Sequence, residues 1–131
     1  MIKNVLLKEP TKETPGINFD IRRNIFEIYG RSLPEDVNAF YDIPINWLRE
    51  YAKKPNVLTN FIFKLEYYNS ASVRKIVDIL LILNDIYKSG YKVKIAWLYE
   101  SYDESMGEVG EDFRILVDAP FEIRPINGDV N

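Results

Sequence analysis

The stretch Val57–Gly90, VLTNFIFKLEYYNSASVRKIVDILLILNDIYKSG, changes its period in the middle, and that change decides the fold. Up to Tyr68 the residues alternate, with Phe61, Phe63, Leu65 and Tyr67 on one side and Ile62, Lys64, Glu66 and Tyr68 on the other. A period of two over this length predicts a strand with one greasy face and one mixed face, as in a sheet covered by helices on one side. From Ser70 onward Val73, Ile76, Val77, Ile79, Leu80, Leu83 and Ile86 follow helical spacing until Gly90 ends the run. With Leu81 and Ile82 the apolar set is wider than one stripe, which predicts a deeply buried helix or one with a second face for a partner. A strand that runs straight into such a helix is the first half of a crossover unit.

Working outward, Tyr91 to Glu100 alternates again, with Val93, Ile95, Trp97 and Tyr99 inward. Asp103 to about Arg114 reads as a weaker helix carrying Met106, Val109, Gly110 and Phe113 on one face, although each of Gly107 and Gly110 costs it about 1 kcal/mol relative to Ala. Phe121 and Ile123 mark a last strand. Upstream, Ile17 to Asp20 and Asn24 to Tyr29 form two short strands around a turn at Ile21 to Arg23, with Phe26 and Ile28 facing the core. Ser32-Leu33-Pro34-Glu35 matches a capping box, placing a helix start at Ser32. Val37, Phe40, Tyr41, Pro44, Trp47, Leu48 and Tyr51 follow on one face; Pro44 should bend this helix, and Lys53-Lys54-Pro55 stops it. The predicted order is β-β-α-β-α-β-α-β, an α/β domain over residues 17–126 with helices mainly on one face. Residues 1–16 read as a flexible lead-in and 127–131 as a disordered tail.

Composition narrows the function. The chain has 131 residues, 47% of them hydrophobic, which is enough for one core without a metal or disulfide. Lys and Arg total 17 against 20 Asp and Glu, a net charge of −3, and the only tight basic clusters are Arg22-Arg23 and Lys53-Lys54; no nucleic-acid partner is expected. There is no Cys and no His, which removes thiolate chemistry, His-ligated metals and the commonest general base near neutral pH. No metal or other cofactor is expected. The N-terminus lacks the apolar core of a signal peptide, and the longest uncharged run, Pro55 to Phe63, falls well short of the roughly 20 residues of a membrane span. A cytoplasmic protein without membrane contact is expected.

The junction Tyr67-Tyr68-Asn69-Ser70-Ala71-Ser72 is the leading candidate site. Asn69 or Ser70 caps the helix on the plain reading. On the functional reading Ser70 accepts a phosphate, which would meet unpaired N–H groups and the positive end of the helix dipole. Position alone does not separate the two, and Ser70 and Ser72 are too close for the sequence to decide which is modified. Asn69 and Ser72 shape the helix start, and Tyr68, on the mixed face, is a candidate contact. A second candidate is the acidic segment, where Glu104, Glu108 and Glu111 share a helical face: either a solvated surface or a docking face for a kinase or effector.

In combination, three segments carry a family resemblance: Gly30-Arg31-Ser32-Leu33-Pro34-Glu35 with Phe40-Tyr41 and Trp47-Leu48; Leu65 to Ser72; and Trp97 to Glu100 leading into Asp103–Glu108 and Gly110–Phe113. The chain resembles the SiaC family of small bacterial regulatory phosphoproteins, related in fold to STAS anti-sigma-factor antagonists. The resemblance implies a STAS-like mixed sheet and a regulatory Ser or Thr after the Asn that ends the central strand, here Ser70. It also implies partner switching without catalysis: a kinase phosphorylates the site, a phosphatase restores it, and the unmodified form activates an effector, in the characterised branch a diguanylate cyclase. The alternatives are a small ligand-binding domain, an unusual enzyme using the carboxylates from Asp103 to Glu111, or a constitutive adaptor in which Ser70 is only part of a cap.

Overall fold

The computed structural model describes residues 2–127. Its elements run β1 Val5–Lys8, β2 Gly16–Asp20, β3 Ile25–Ser32, α1 Val37–Tyr51, β4 Leu58–Tyr68, α2 Ser70–Lys88, β5 Lys92–Glu100, α3 Glu104–Arg114 and β6 Phe121–Ile126. The strands form one six-stranded sheet in chain order, antiparallel from β1 to β3 and parallel from β3 to β6. Because each parallel crossover steps to the next strand in the same direction, a common right-handed sense puts α1, α2 and α3 on one face. Burial agrees: Phe26, Ile28, Phe61, Phe63, Val93, Ile95 and Trp97 are buried toward the helices, while Lys64, Glu66, Lys92 and Lys94 on the opposite face are exposed.

The N-terminal segment departs from the sequence expectation of a flexible lead-in over residues 1–16. Val5–Lys8 is an edge strand paired with β2, and the Trp47 indole donates to the Lys3 carbonyl at 3.0 Å. The following turn is closed by the Thr11 hydroxyl, which accepts from the N–H groups of Glu13 and Thr14, and the Glu13 carbonyl accepts from Leu33 N–H. Four residues bounded by Lys and Glu-Pro give too short an alternation to stand out, but Leu6 packs against the core and Ile21 N–H bonds the Asn4 carbonyl. Of the expected tail, Asn127 bonds Glu100 through its side chain, and 128–131 lie outside the described residues.

The start of α1 is also shifted. Asp36 is the N-cap, its carboxylate accepting from Ala39 N–H at 3.0 Å, and Ser32 is the buried last residue of β3. The apparent capping box loses because β3 stays paired to β4 through Ser32, opposite Tyr68. That pairing depends on a register shift at Gly30/Arg31, where Gly30 has φ +95°, a conformation that favours glycine. Without the shift Ser32 would face Tyr67; with it, Ser32 stands beside Asn69, and its carbonyl accepts from Asn69 N–H at 2.9 Å.

The two glycines of α3 have a steric reason. A Cβ on Gly107 would lie 2.8 Å from the Tyr99 ring, and one on Gly110 would lie 2.7 Å from the Trp97 indole. The close approach also lets Trp97 Nε1 donate to the Met106 carbonyl at 2.9 Å. Gly110→Ala should therefore destabilise the domain by about 1–3 kcal/mol, the range for overpacking, against a gain of about 1 kcal/mol on helix propensity alone. A urea melt reads the sign directly.

Candidate functional site

Ser32, brought into place by the register shift between β3 and β4, meets α1 and the head of α2 in a chain of buried hydroxyls. Tyr41 Oη lies 2.5 Å from Ser32 Oγ, Ser32 Oγ lies 2.8 Å from Ser72 Oγ, and Ser72 Oγ lies 2.7 Å from Asn69 Oδ1. Tyr41, Ser32 and Ser72 are all fully buried. The direction of the chain follows from one proton per hydroxyl. Ser72 N–H donates to Asn69 Oδ1 at 3.0 Å, which fixes the amide with its oxygen inward. Ser72 must then donate to an acceptor-only oxygen, Asn69 Oδ1 or the Ser32 carbonyl at 3.1 Å. Ser32 therefore donates to Ser72, and Tyr41 donates to Ser32. Burial raises the Tyr41 pKa, with the hydrogen bond to Ser32 working in the opposite direction.

Asn69 is the N-cap of α2, and Ser70 is its first helical residue. Of the two serines the sequence left open, Ser72 is locked inside, whereas Ser70 is exposed. Tyr68 and Tyr67 exchange their expected exposure. Tyr67, expected on the greasy face, is exposed and lies under Arg31, whose guanidinium carbon is 5.5 Å from the ring centroid. Tyr68 is half-buried and lines a shallow depression with Asp103, Ser105 and Met106; burial, followed by the charge of Asp112, raises its pKa. The register shift between β3 and β4 leaves Glu66 as an extra residue on β4, which reverses the alternation beyond it and turns Tyr67 outward beside Arg31 and Tyr68 toward the core, a change that alternation alone does not reveal. Sequence reading also missed Ser32 and Arg31 as part of this region, since the bulge that places them depends on pairing.

Glu104, Glu108 and Glu111 are exposed along α3, and Glu111 pairs with Arg114 at 3.0 Å. They border an open depression of about 330 Å³ with Tyr99, Gly107 and Ile123. Among the described residues no group of three or more Asp, Glu, His or Cys is placed to hold a metal ion, and no helix is long and apolar enough to cross a membrane. A cavity of about 640 Å³ lies on the helix-free face over Ile25, Ile62 and Ala96, near the start of β4 and at the other end of that strand from Ser70.

This architecture, a mixed six-stranded sheet with three helices, is that of an α/β domain of known form. Residues 8–126 match the SiaC family regulatory phosphoproteins, and the chain belongs to that family. The crystal structure of apo-SiaC from Pseudomonas aeruginosa superposes with a TM-score of 0.86 at 25% identity, covering 93% of this chain and 99% of that one. A chain in the crystal structure of the diguanylate cyclase SiaD in complex with its activator SiaC, from the same organism, gives 0.87 at 27% identity over 92% and 98%. An uncharacterized protein of P. aeruginosa strain UCBPP-PA14 is 27% identical over 114 residues, 87% of this chain and 90% of its own length.

Two outcomes distinguish the serines and the tyrosines. Ser72→Ala removes the acceptor for Ser32 and leaves a buried hydroxyl hydrogen without a partner, a loss of about 1–3 kcal/mol in denaturant melts, while Ser70→Ala stays within about 0.5 kcal/mol. Tyr41 and Tyr51 both have raised pKa values, in each case chiefly through burial. The folded state thus holds these protons more tightly than the unfolded chain. Their contribution is intact below the ordinary tyrosine value of about 10 and falls as pH rises from there through the raised values. Stability measured against pH should decline on that alkaline limb, less steeply in Tyr41→Phe.

Proposed function

We propose that this chain is a cytoplasmic, non-enzymatic partner-switching protein whose unmodified form binds and activates a diguanylate cyclase, and whose phosphorylation on Ser70 breaks that binding. A protein kinase sets the modified state and a phosphatase reverses it. One observation carries the choice of residue: Ser70 is exposed on the first turn of α2, while Ser72, two positions later, is buried and committed to Ser32 and Asn69. The family's description as regulatory phosphoproteins and the cyclase complex of the P. aeruginosa relative support the role and the partner class.

Phosphate on Ser70 brings about −1.5 to −2 of charge to this turn at neutral pH. A partner surface that fits the neutral turn would have to desolvate that charge or repel it. Arg31 on the exposed Tyr67 ring, at the adjoining strand ends, supplies residue types that often anchor such interfaces.

Mass spectrometry of the protein from its own cells should find phosphate on the peptide from Tyr67 to Arg74, at Ser70. In a binding assay with the cyclase recovered from the same cells, Ser70→Ala should bind as wild type and Ser70→Asp at least tenfold more weakly. Equal binding by the two variants would establish a constitutive adaptor instead.

A further inference from the structure

At the head of α2 the hydrogen bonds made by the Asn69 side chain have substitutes already in place. Asn69 Oδ1 accepts from Ser72 N–H at 3.0 Å and from the Ser72 hydroxyl at 2.7 Å. The same N–H is 3.0 Å from the backbone carbonyl of Asn69, and the same hydroxyl is 3.1 Å from the carbonyl of Ser32. Removing the amide therefore orphans neither polar group of Ser72. The hydroxyl turns to Ser32, and the N–H keeps its turn bond. The penalty for stranding a buried donor, which ordinarily holds a cap in place, does not apply. Deeper in the chain there is no such duplication: the Tyr41 proton goes to Ser32 and the Ser32 proton to Ser72. The boundary between what is fixed and what can leave falls between Ser72 and Asn69, one residue from Ser70.

We propose that the Asn69 side chain is a releasable latch on the Ser70 turn, letting go of Ser72 when Ser70 carries phosphate while the Tyr41–Ser32–Ser72 chain stays closed. The proposal rests on the reading of Ser70 as the phosphoacceptor. A phosphate at this position competes for the N–H groups of the first turn, and the one already held by Asn69 is that of Ser72. The freed amide carries two donors and one acceptor oxygen to the surface beside the phosphate. The modified face thus differs from the unmodified one by a displaced side chain as well as by charge, and the core beneath is unchanged.

Two comparisons test it. The first sets Asn69→Ala beside Asp36→Ala, the cap of α1, where among the described residues no backbone carbonyl shares the Ala39 N–H with the carboxylate. Asp36→Ala should lower Tm by about 3–5 °C. Asn69→Ala should lower it by less than roughly a third of that, with amide exchange at Ser72 rising less than about threefold. Equal losses in Tm would overturn the latch. The second places phosphoserine at position 70 by codon suppression, independently of any kinase. NMR signals of the Asn69 side-chain amide should move to solvent-exposed values, with the Ser72 amide still protected; unmoved Asn69 signals would overturn the proposal. If protein from its own cells carries no phosphate on Ser70, the phosphoacceptor reading falls, and the melt comparison still decides whether Asn69 is dispensable to the turn.

Discussion

The head of this domain is organised by a constraint as simple as one proton per hydroxyl. Tyr41, Ser32 and Ser72 are buried side by side, and each can donate once. Because Ser72 ends the chain on carbonyl oxygens, every donor upstream has a fixed direction. A helix, a strand end and a helix start from three separate parts of the sequence are thereby held in one arrangement. Buried polar chains of this kind stabilise only when complete, and among the described residues no buried side-chain nitrogen or oxygen lacks a partner. Whatever Ser70 does, it does on a base that has little freedom of its own.

Other parts of the fold serve that base. The register shift that follows Gly30 brings Ser32 into line with Asn69, and α1 is fastened at both ends by tyrosines, with Tyr51 bonding Thr59 at 2.7 Å as Tyr41 bonds Ser32. Helix α2 is likewise held far from its cap, where buried Asn84 accepts from the N–H groups of Asp118 and Ala119 at 2.8 and 3.1 Å. That explains a polar residue among the apolar positions of α2. It joins the middle helix to the loop leading into β6, so the helix that presents Ser70 is tied to both halves of the sheet.

Much of this was legible in the residues. The period change around Asn69 placed the β4–α2 junction, and the alternations of β4 and β5 identified Phe61, Phe63, Ile95 and Trp97 as core. Those signals are strong because each element buries one long face. What stayed hidden depended on pairing between distant segments. Ser32 carries the local chemistry of a cap, and only its place opposite Tyr68 makes it a strand residue. β1 is too short for its alternation to stand out, and its anchor is the indole of Trp47, 44 positions from Lys3. The exposure of Ser70 and the burial of Ser72 are opposite fates for the same residue type, decided by which side of the first turn faces Ser32.

The sheet order, identical to the order of the strands along the chain, has a further consequence for how the molecule is made. Each strand docks on the one just before it, and no strand waits for a later one to fill a gap on its inner side. Loop-closure cost rises with the length of chain between partners, so growth outward from the β2–β3 hairpin is a low-cost route, and it suits N-terminal-first emergence from the ribosome. By the time Lys88 has emerged, Tyr41, Ser32, Ser72 and Asn69 are all available. The turn from Asn69 to Ser72 can therefore form its bonds before β5, α3 and β6 exist, and the last third of the chain is added to a head already built.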